Sequence, residues 1–213
     1  MTRALFYRAV RPMFGGTLSQ KQVDGIEALL AATEALPVTH RAYLLATSWH
    51  ETASTMQPIA EYGKGKGKPY GKPGKYGQAQ YGRGYVQLTW DANYEKADKA
   101  LGLNGALLRD FNLAMQPTIA AQILVRGCEE GWFTGKKMAD YLPGDYRGAR
   151  RVVNGLDKAD LIAGYAREFE AALRLLPDAP LTPKPVADKT PAQTVAKPSF
   201  ITWLLSLFKG RKA

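Results

Sequence analysis

The chain has 213 residues, with 29 Lys plus Arg against 19 Asp plus Glu, a formal charge of +10. That length suits one domain, or one domain with an appendage, and 46% hydrophobic with 23% charged residues excludes both a disordered polymer and a membrane bundle. One cysteine (Cys128) and two histidines (His40 and His50) exclude a disulfide framework and a multi-histidine zinc centre, while the basic excess implies an anionic partner: nucleic acid, acidic cell-wall polymer or membrane surface.

At the N-terminus the apolar run is broken by Arg8 and Arg11, so no secretory signal of roughly seven to fifteen apolar residues is expected. The protein is therefore expected to accumulate in the cytoplasm. Ser19 with Gln22 forms a capping-box pattern, and Val23, Ile26 and Leu30 follow at helical spacing. Ala42, Leu45 and Trp49 mark a second helix over Pro37 to Thr52. The segment Tyr85-Val-Gln-Leu-Thr-Trp90 alternates polar and apolar positions and predicts a half-buried strand. Tyr94, Ala97 and Leu101 then predict a third helix. Pro117 suits a first helical position, followed by Ala120, Leu124 and Cys128 on one face. Ile162, Tyr165, Phe169 and Leu173 predict the last long helix. The expected domain is mainly helical with a small β element and covers residues 1–176.

Residues 177–198 hold six prolines in 22 positions and no aromatic residue, which reads as an extended linker. The tail, 199–213, begins with an apolar run in which seven of the nine residues Phe200–Phe208 are apolar, followed by Lys209, Arg211 and Lys212. As a helix that run spans about 14 Å, against a hydrocarbon core of about 30 Å. Contact with an anionic membrane interface through Phe200–Lys212 is expected, the alternative being a tail folded back on the domain.

Two carboxylates could form a catalytic pair. Glu51 ends the second helix beside Leu44 and Thr47, an apolar setting expected to favour its protonated form. Glu61 lies beyond Pro58, where the chain can turn back to face it. Glycosidic hydrolysis needs such an acid and base, although two surface glutamates would read the same way. His50-Glu51 begins a zinc-helix motif, but position 54 is serine, so neither metal nor cofactor is expected. His50 then supports the acid or simply packs.

Residues 62–85 contain eight glycines, five tyrosines, five lysines and Arg83, with no acidic residue. This composition fits an anionic-polymer surface, a single-strand nucleic-acid binder or a solvated loop. Gln87, Thr89 and Asn93 could hold a water for attack or point into solvent. Asn154 reads as a helix-ending Asn-Gly turn unless it borders a cleft.

Taken in order, His50-Glu51-Thr52, Glu61, Tyr81-Gly-Arg-Gly-Tyr-Val-Gln-Leu-Thr89, Asn93-Tyr94 and Val153-Asn154-Gly155 resemble glycoside hydrolase family 19, which comprises chitinases and related phage and bacterial peptidoglycan hydrolases. The resemblance spans roughly residues 38–175. It implies a lysozyme-like α+β fold with a groove, and inverting hydrolysis without a metal or covalent intermediate. Glu51 aligns with the general acid, Glu61 with the general base, and Thr89 with the residue that positions water. His50, Tyr81, Arg83, Gln87, Asn93 and Asn154 fall at substrate-binding positions. In the implied geometry the carboxyl groups stand roughly 6.5–9.5 Å apart.

Chitin is uncharged, whereas peptidoglycan carries carboxylates, so the positive charge favours peptidoglycan glycan strands as substrate. Together with the missing signal and the tail, this points to an endolysin from the phage branch of the family. It would wait in the host bacterial cytoplasm and reach the periplasmic wall after holin-type release. A monomer suffices for such an enzyme. A chitinase is the alternative within the class, and a nucleic-acid-binding protein using the Gly/Lys/Tyr loop the alternative outside it.

Overall fold

The computed structural model describes residues 3–176. The proposed linker and apolar tail, 177–198 and 199–213, and their membrane contact lie outside the described residues. Eight α-helices and one two-stranded sheet are present among the described residues. In chain order they are α1 (Arg3–Val10), α2 (Gln20–Ala32), α3 (Val38–Glu51), β1 (Ile59–Ala60), β2 (Arg83–Gly84), α4 (Asp91–Ala100), α5 (Ala106–Arg109), α6 (Pro117–Glu130), α7 (Tyr146–Ala149) and α8 (Ala159–Leu173).

The helix signals act as expected. At α2 the Ser19 hydroxyl accepts from the Gln22 backbone N–H while the Gln22 side chain accepts from the Ser19 N–H. Two otherwise orphaned donors are satisfied together. Pro117 opens α6, where its missing N–H costs nothing, and Gly131 closes that helix with φ +73°. The N-terminal helix α1 was not expected; Phe6 and Val10, one turn apart, are fully buried and hold it against α8.

α3 is the axis of the domain. Val38 and every residue from His40 to Ser48 are buried, so the helix is surrounded rather than packed on one stripe. α8 runs against it over the most extensive helix–helix contact, and α2 packs on α6. One apolar core therefore joins both ends of the described chain. The C-terminus of α3, where Glu51 sits, is tied to Arg150, just beyond α7, and leads into the largely irregular segment 52–90.

The expected strand at 85–90 is not there. Only Arg83–Gly84 is extended, and it pairs antiparallel with Ile59–Ala60, in the register Ile59 with Gly84 and Ala60 with Arg83. Arg83 and Leu88 then exchange both backbone hydrogen bonds, at 3.1 and 2.8 Å, closing residues 84–87 into a tight turn. Gly84 at φ +89° and Gln87 at φ +54° bend the chain in a way that a strand cannot. Residues 85–89 are all buried, so the sequence alternation does not separate solvent from core.

Candidate active site

Glu51 is the last residue of α3, and three non-glycine residues just beyond it are left-handed: Ala53, Ser54 and Met56. Such backbone is uncommon away from glycine and costs of order 1–3 kcal/mol per residue, a strain that clusters at functional sites. Thr52 anchors the turn, donating its hydroxyl to the Ser48 carbonyl and accepting from the Met56 N–H.

The surroundings of Glu51 differ from the apolar setting read from the sequence. Arg150, which is fully buried, donates from Nη1 to Glu51 Oε1 at 2.6 Å and from Nε to the Asp157 carbonyl at 3.1 Å. The Glu51 side chain is only 9% exposed. Its second oxygen, Oε2, has no hydrogen-bond partner among the described residues and is free to face a substrate. Near the pair lie the Thr47 and Tyr43 hydroxyls, one and two turns back along α3, both buried and directed at each other, while Arg150 Nη2 is buried without a hydrogen-bond partner. Burial pushes the Tyr43 phenol well above its ordinary range and does the same to the Cys128 thiol, so both stay neutral. His50 is half-buried next to the acid. Burial holds its imidazole below the usual range, with the Glu51 charge pulling the other way.

Glu61 follows β1 directly and is held by neutral donors. Tyr70 donates its hydroxyl to Oε1 at 3.1 Å, and the Gly82 N–H donates to Oε2 at 3.2 Å. The Glu61 N–H in turn reaches the Gly82 carbonyl at 2.7 Å, so base and hairpin are locked together. A Cβ at Gly82 would lie 2.8 Å from Gln87 Oε1, so this glycine allows the chain to come close enough for its N–H to meet the carboxylate. Tyr70 itself is buried, with its ring edge-on to Trp90 at 5.5 Å between centroids.

The hairpin brings several of the expected site residues to Glu61. Gln87 is buried and donates to the Ile59 and Gly84 carbonyls, bridging the two strands. Thr89 donates its hydroxyl to the Gln87 carbonyl at 2.7 Å, which leaves its oxygen able to accept from a water. Asn93, in the first turn of α4, donates to the Thr89 carbonyl at 2.7 Å. Arg83 is 4% exposed and binds inward. It donates to Asn112, the Ala79 and Tyr81 carbonyls and the Tyr94 hydroxyl, with its guanidinium 3.6 Å from the Tyr81 ring centroid. The geometry thus makes Arg83 and Tyr81 a brace for the hairpin rather than free ligand contacts. Asn154 is buried, its N–H bonded to the carbonyl of Arg150, the residue that pairs with Glu51.

Two residues that the sequence reading missed hold the carboxylates. Arg150 stands 99 positions from Glu51, and no local pattern marks it. Tyr70 lay in plain view in the glycine-rich stretch, but nothing in its spacing separates it from four other tyrosines there. No group of three or more His, Cys, Asp or Glu suited to a metal occurs among the described residues. No helix among them is long and apolar enough to cross a membrane.

No family model matches the chain. Over 84 residues, 39% of this chain and 27% of the relative, it is 37% identical to an endochitinase of Arabidopsis thaliana. Over 114 residues, 50% of this chain and 38% of the relative, it is 30% identical to Endochitinase A of Zea mays. The chain thus spans well under half the length of these curated relatives. The crystal structure of chitinase C from Streptomyces griseus HUT6037 superposes on 81% of this chain and 74% of its own, with a TM-score of 0.54 and 23% identity. The α-rich, lysozyme-like architecture with its small sheet is therefore a fold that this chain shares with a solved bacterial chitinase.

Proposed function

We propose that the chain is a glycoside hydrolase that cleaves β-1,4 bonds between N-acetylated sugars in a single displacement. The observation that carries this reading is that two carboxylates are fixed by different chemistry: Glu51 through one oxygen by a buried guanidinium, Glu61 through both by a phenol and a backbone N–H. In the proposed step Glu51 gives its proton to the glycosidic oxygen from Oε2. Water attacks the anomeric carbon from the opposite face, and Glu61 takes the water's proton. Thr89 accepts a hydrogen bond from that water, and Gln87 and Asn93 hold Thr89 in place. His50 and Asn154 flank the acid and complete the substrate-binding side.

Chitin is the favoured polymer, because both curated relatives are named endochitinases and the solved neighbour is a chitinase. Peptidoglycan is the second reading, favoured by the +10 charge, for which neutral chitin offers no partner. On that reading the protein would be a monomeric endolysin, held in the host cytoplasm until holin-type release. Chitin oligomers and purified cell walls, assayed side by side with mass analysis of the fragments, separate the two polymers. Glu51→Gln and Glu61→Gln should each fold normally and lose about 10²- to 10⁴-fold in turnover. Full activity in either variant would remove that residue from the mechanism.

A further inference from the structure

Residues 62–72 carry chemistry that bond cleavage by Glu51 and Glu61 does not use. Lys64, Lys66, Lys68 and Lys72 are exposed, and none of them forms an ion pair among the described residues. Lys75, by contrast, is paired with Glu95 at 3.1 Å. No acidic residue occurs between positions 62 and 80. A run of lysines is ordinarily a solvated surface, but this one is folded. The N–H groups of Lys64, Lys66 and Lys68 each close a turn onto the carbonyl three residues back, at 2.9–3.0 Å, and Gly71 does the same onto Lys68. Gly65 and Gly71 meet so closely that a Cβ on Gly71 would lie 1.9 Å from the Gly65 carbonyl oxygen. Between these turns is an open hollow of about 540 Å³, whose lining includes Lys66, Lys68, Pro69 and Lys72. Tyr70 ties the loop to the carboxylate of Glu61. Next to Glu61 in the chain, Tyr62 is 93% exposed, an aromatic face of the kind that covers an apolar sugar ring.

We infer that this hollow is an anion subsite for carboxylate groups borne by the glycan strand, placed next to the base so that a charged chain is held as its bond is cut. The inference rests on the glycosidase reading and extends its substrate class from neutral chitin to carboxylated aminosugar polymers. Three ammonium groups around one concavity, with Lys64 in the same loop and no counter-charge there, raise the local concentration of a polyanion and act only within a Debye length, about 10 Å at 0.1 M salt.

The test uses the full chain on two soluble polymers with the same backbone, carboxymethyl-chitin and neutral glycol-chitin, at ~20 mM and ~0.5 M salt. Wild type should prefer the carboxylated polymer by about tenfold or more in kcat/KM at low salt, and the preference should collapse at high salt. The quadruple variant Lys64→Gln, Lys66→Gln, Lys68→Gln, Lys72→Gln should lose the preference and keep its rate on glycol-chitin within about twofold, because these side chains are exposed and make no internal bond. A salt-independent ratio in wild type, or an unchanged ratio in the variant, would overturn the inference. So would a variant that keeps the ratio but no longer binds phosphatidylglycerol vesicles, since the loop would then serve a lipid surface. Binding of labelled carboxymethylated oligomers, read by anisotropy, tests the hollow even without turnover. Cleavage of neither polymer would refute the glycosidase reading, and salt-sensitive, lysine-dependent binding would still uphold the subsite.

Discussion

The two carboxylates are supported by opposite means. Glu51 is the end of a largely buried helix and is held by one charged partner that arrives from 99 residues away. Glu61 sits in a stretch with almost no regular structure, and each of its oxygens accepts from a neutral donor, 9 and 21 residues away. A buried charge pair depends on both partners, because removing one leaves the other without compensation. A carboxylate held by phenol and amide donors loses only one hydrogen bond when a donor is removed. The acid's side of the site is therefore joined to global stability, while the base's side can be altered locally.

The largest effect that would test this contrast is Arg150→Ala. It should destabilise the fold by about 3–5 kcal/mol in urea unfolding, because Glu51 is left buried and unpaired. The double variant Glu51→Gln with Arg150→Met should recover much of that loss. A single variant that loses less than about 1 kcal/mol would mean that solvent, rather than the ion pair, compensates Glu51. Next comes Tyr70→Phe, expected to cost about 1–2 kcal/mol and to lower turnover by less than tenfold, since Gly82 still holds the second oxygen. An effect as large as that of Arg150→Ala would erase the distinction between the two sides.

The smallest effect concerns pH. Burial holds His40 and His50 below the ordinary value of 6.5. Between their folded values and 6.5 the unfolded chain binds more protons than the folded one, so stability is present above 6.5 and lost as the pH falls through that window. Each imidazole contributes at most about 1.4 kcal/mol per pH unit. Melting temperatures measured from about pH 7.5 down to about pH 5 should fall, and His50→Gln should make the slope shallower. A slope unchanged by that substitution would place the acid sensitivity elsewhere.

Much of the helical frame was legible in the sequence. The capping box at Ser19 and Gln22, the proline at 117 and the apolar spacing of α3, α4 and α8 each reflect physics confined to a few neighbouring residues. Local physics also misled. Six alternating residues at 85–90 read as a strand, yet left-handed backbone at Gly84 and Gln87 folds them into a turn, where both sets of side chains are buried. Alternation reports a strand only where one face meets solvent. The carboxylates and Thr89 could be named from motif order, but not the groups that hold them.

Helix positions, the glycine-rich turn segment and the identity of the acidic and amide side chains follow from residues close together in the chain, through backbone preference and periodic burial. The pairing of Glu51 with Arg150, the choice of Tyr70 among five similar tyrosines, and the inward turn of Arg83 were decided only when α3, α7 and the hairpin packed around one core. A buried charge must find its partner in space, and the chain distance to that partner has no bearing on the energy of the pair.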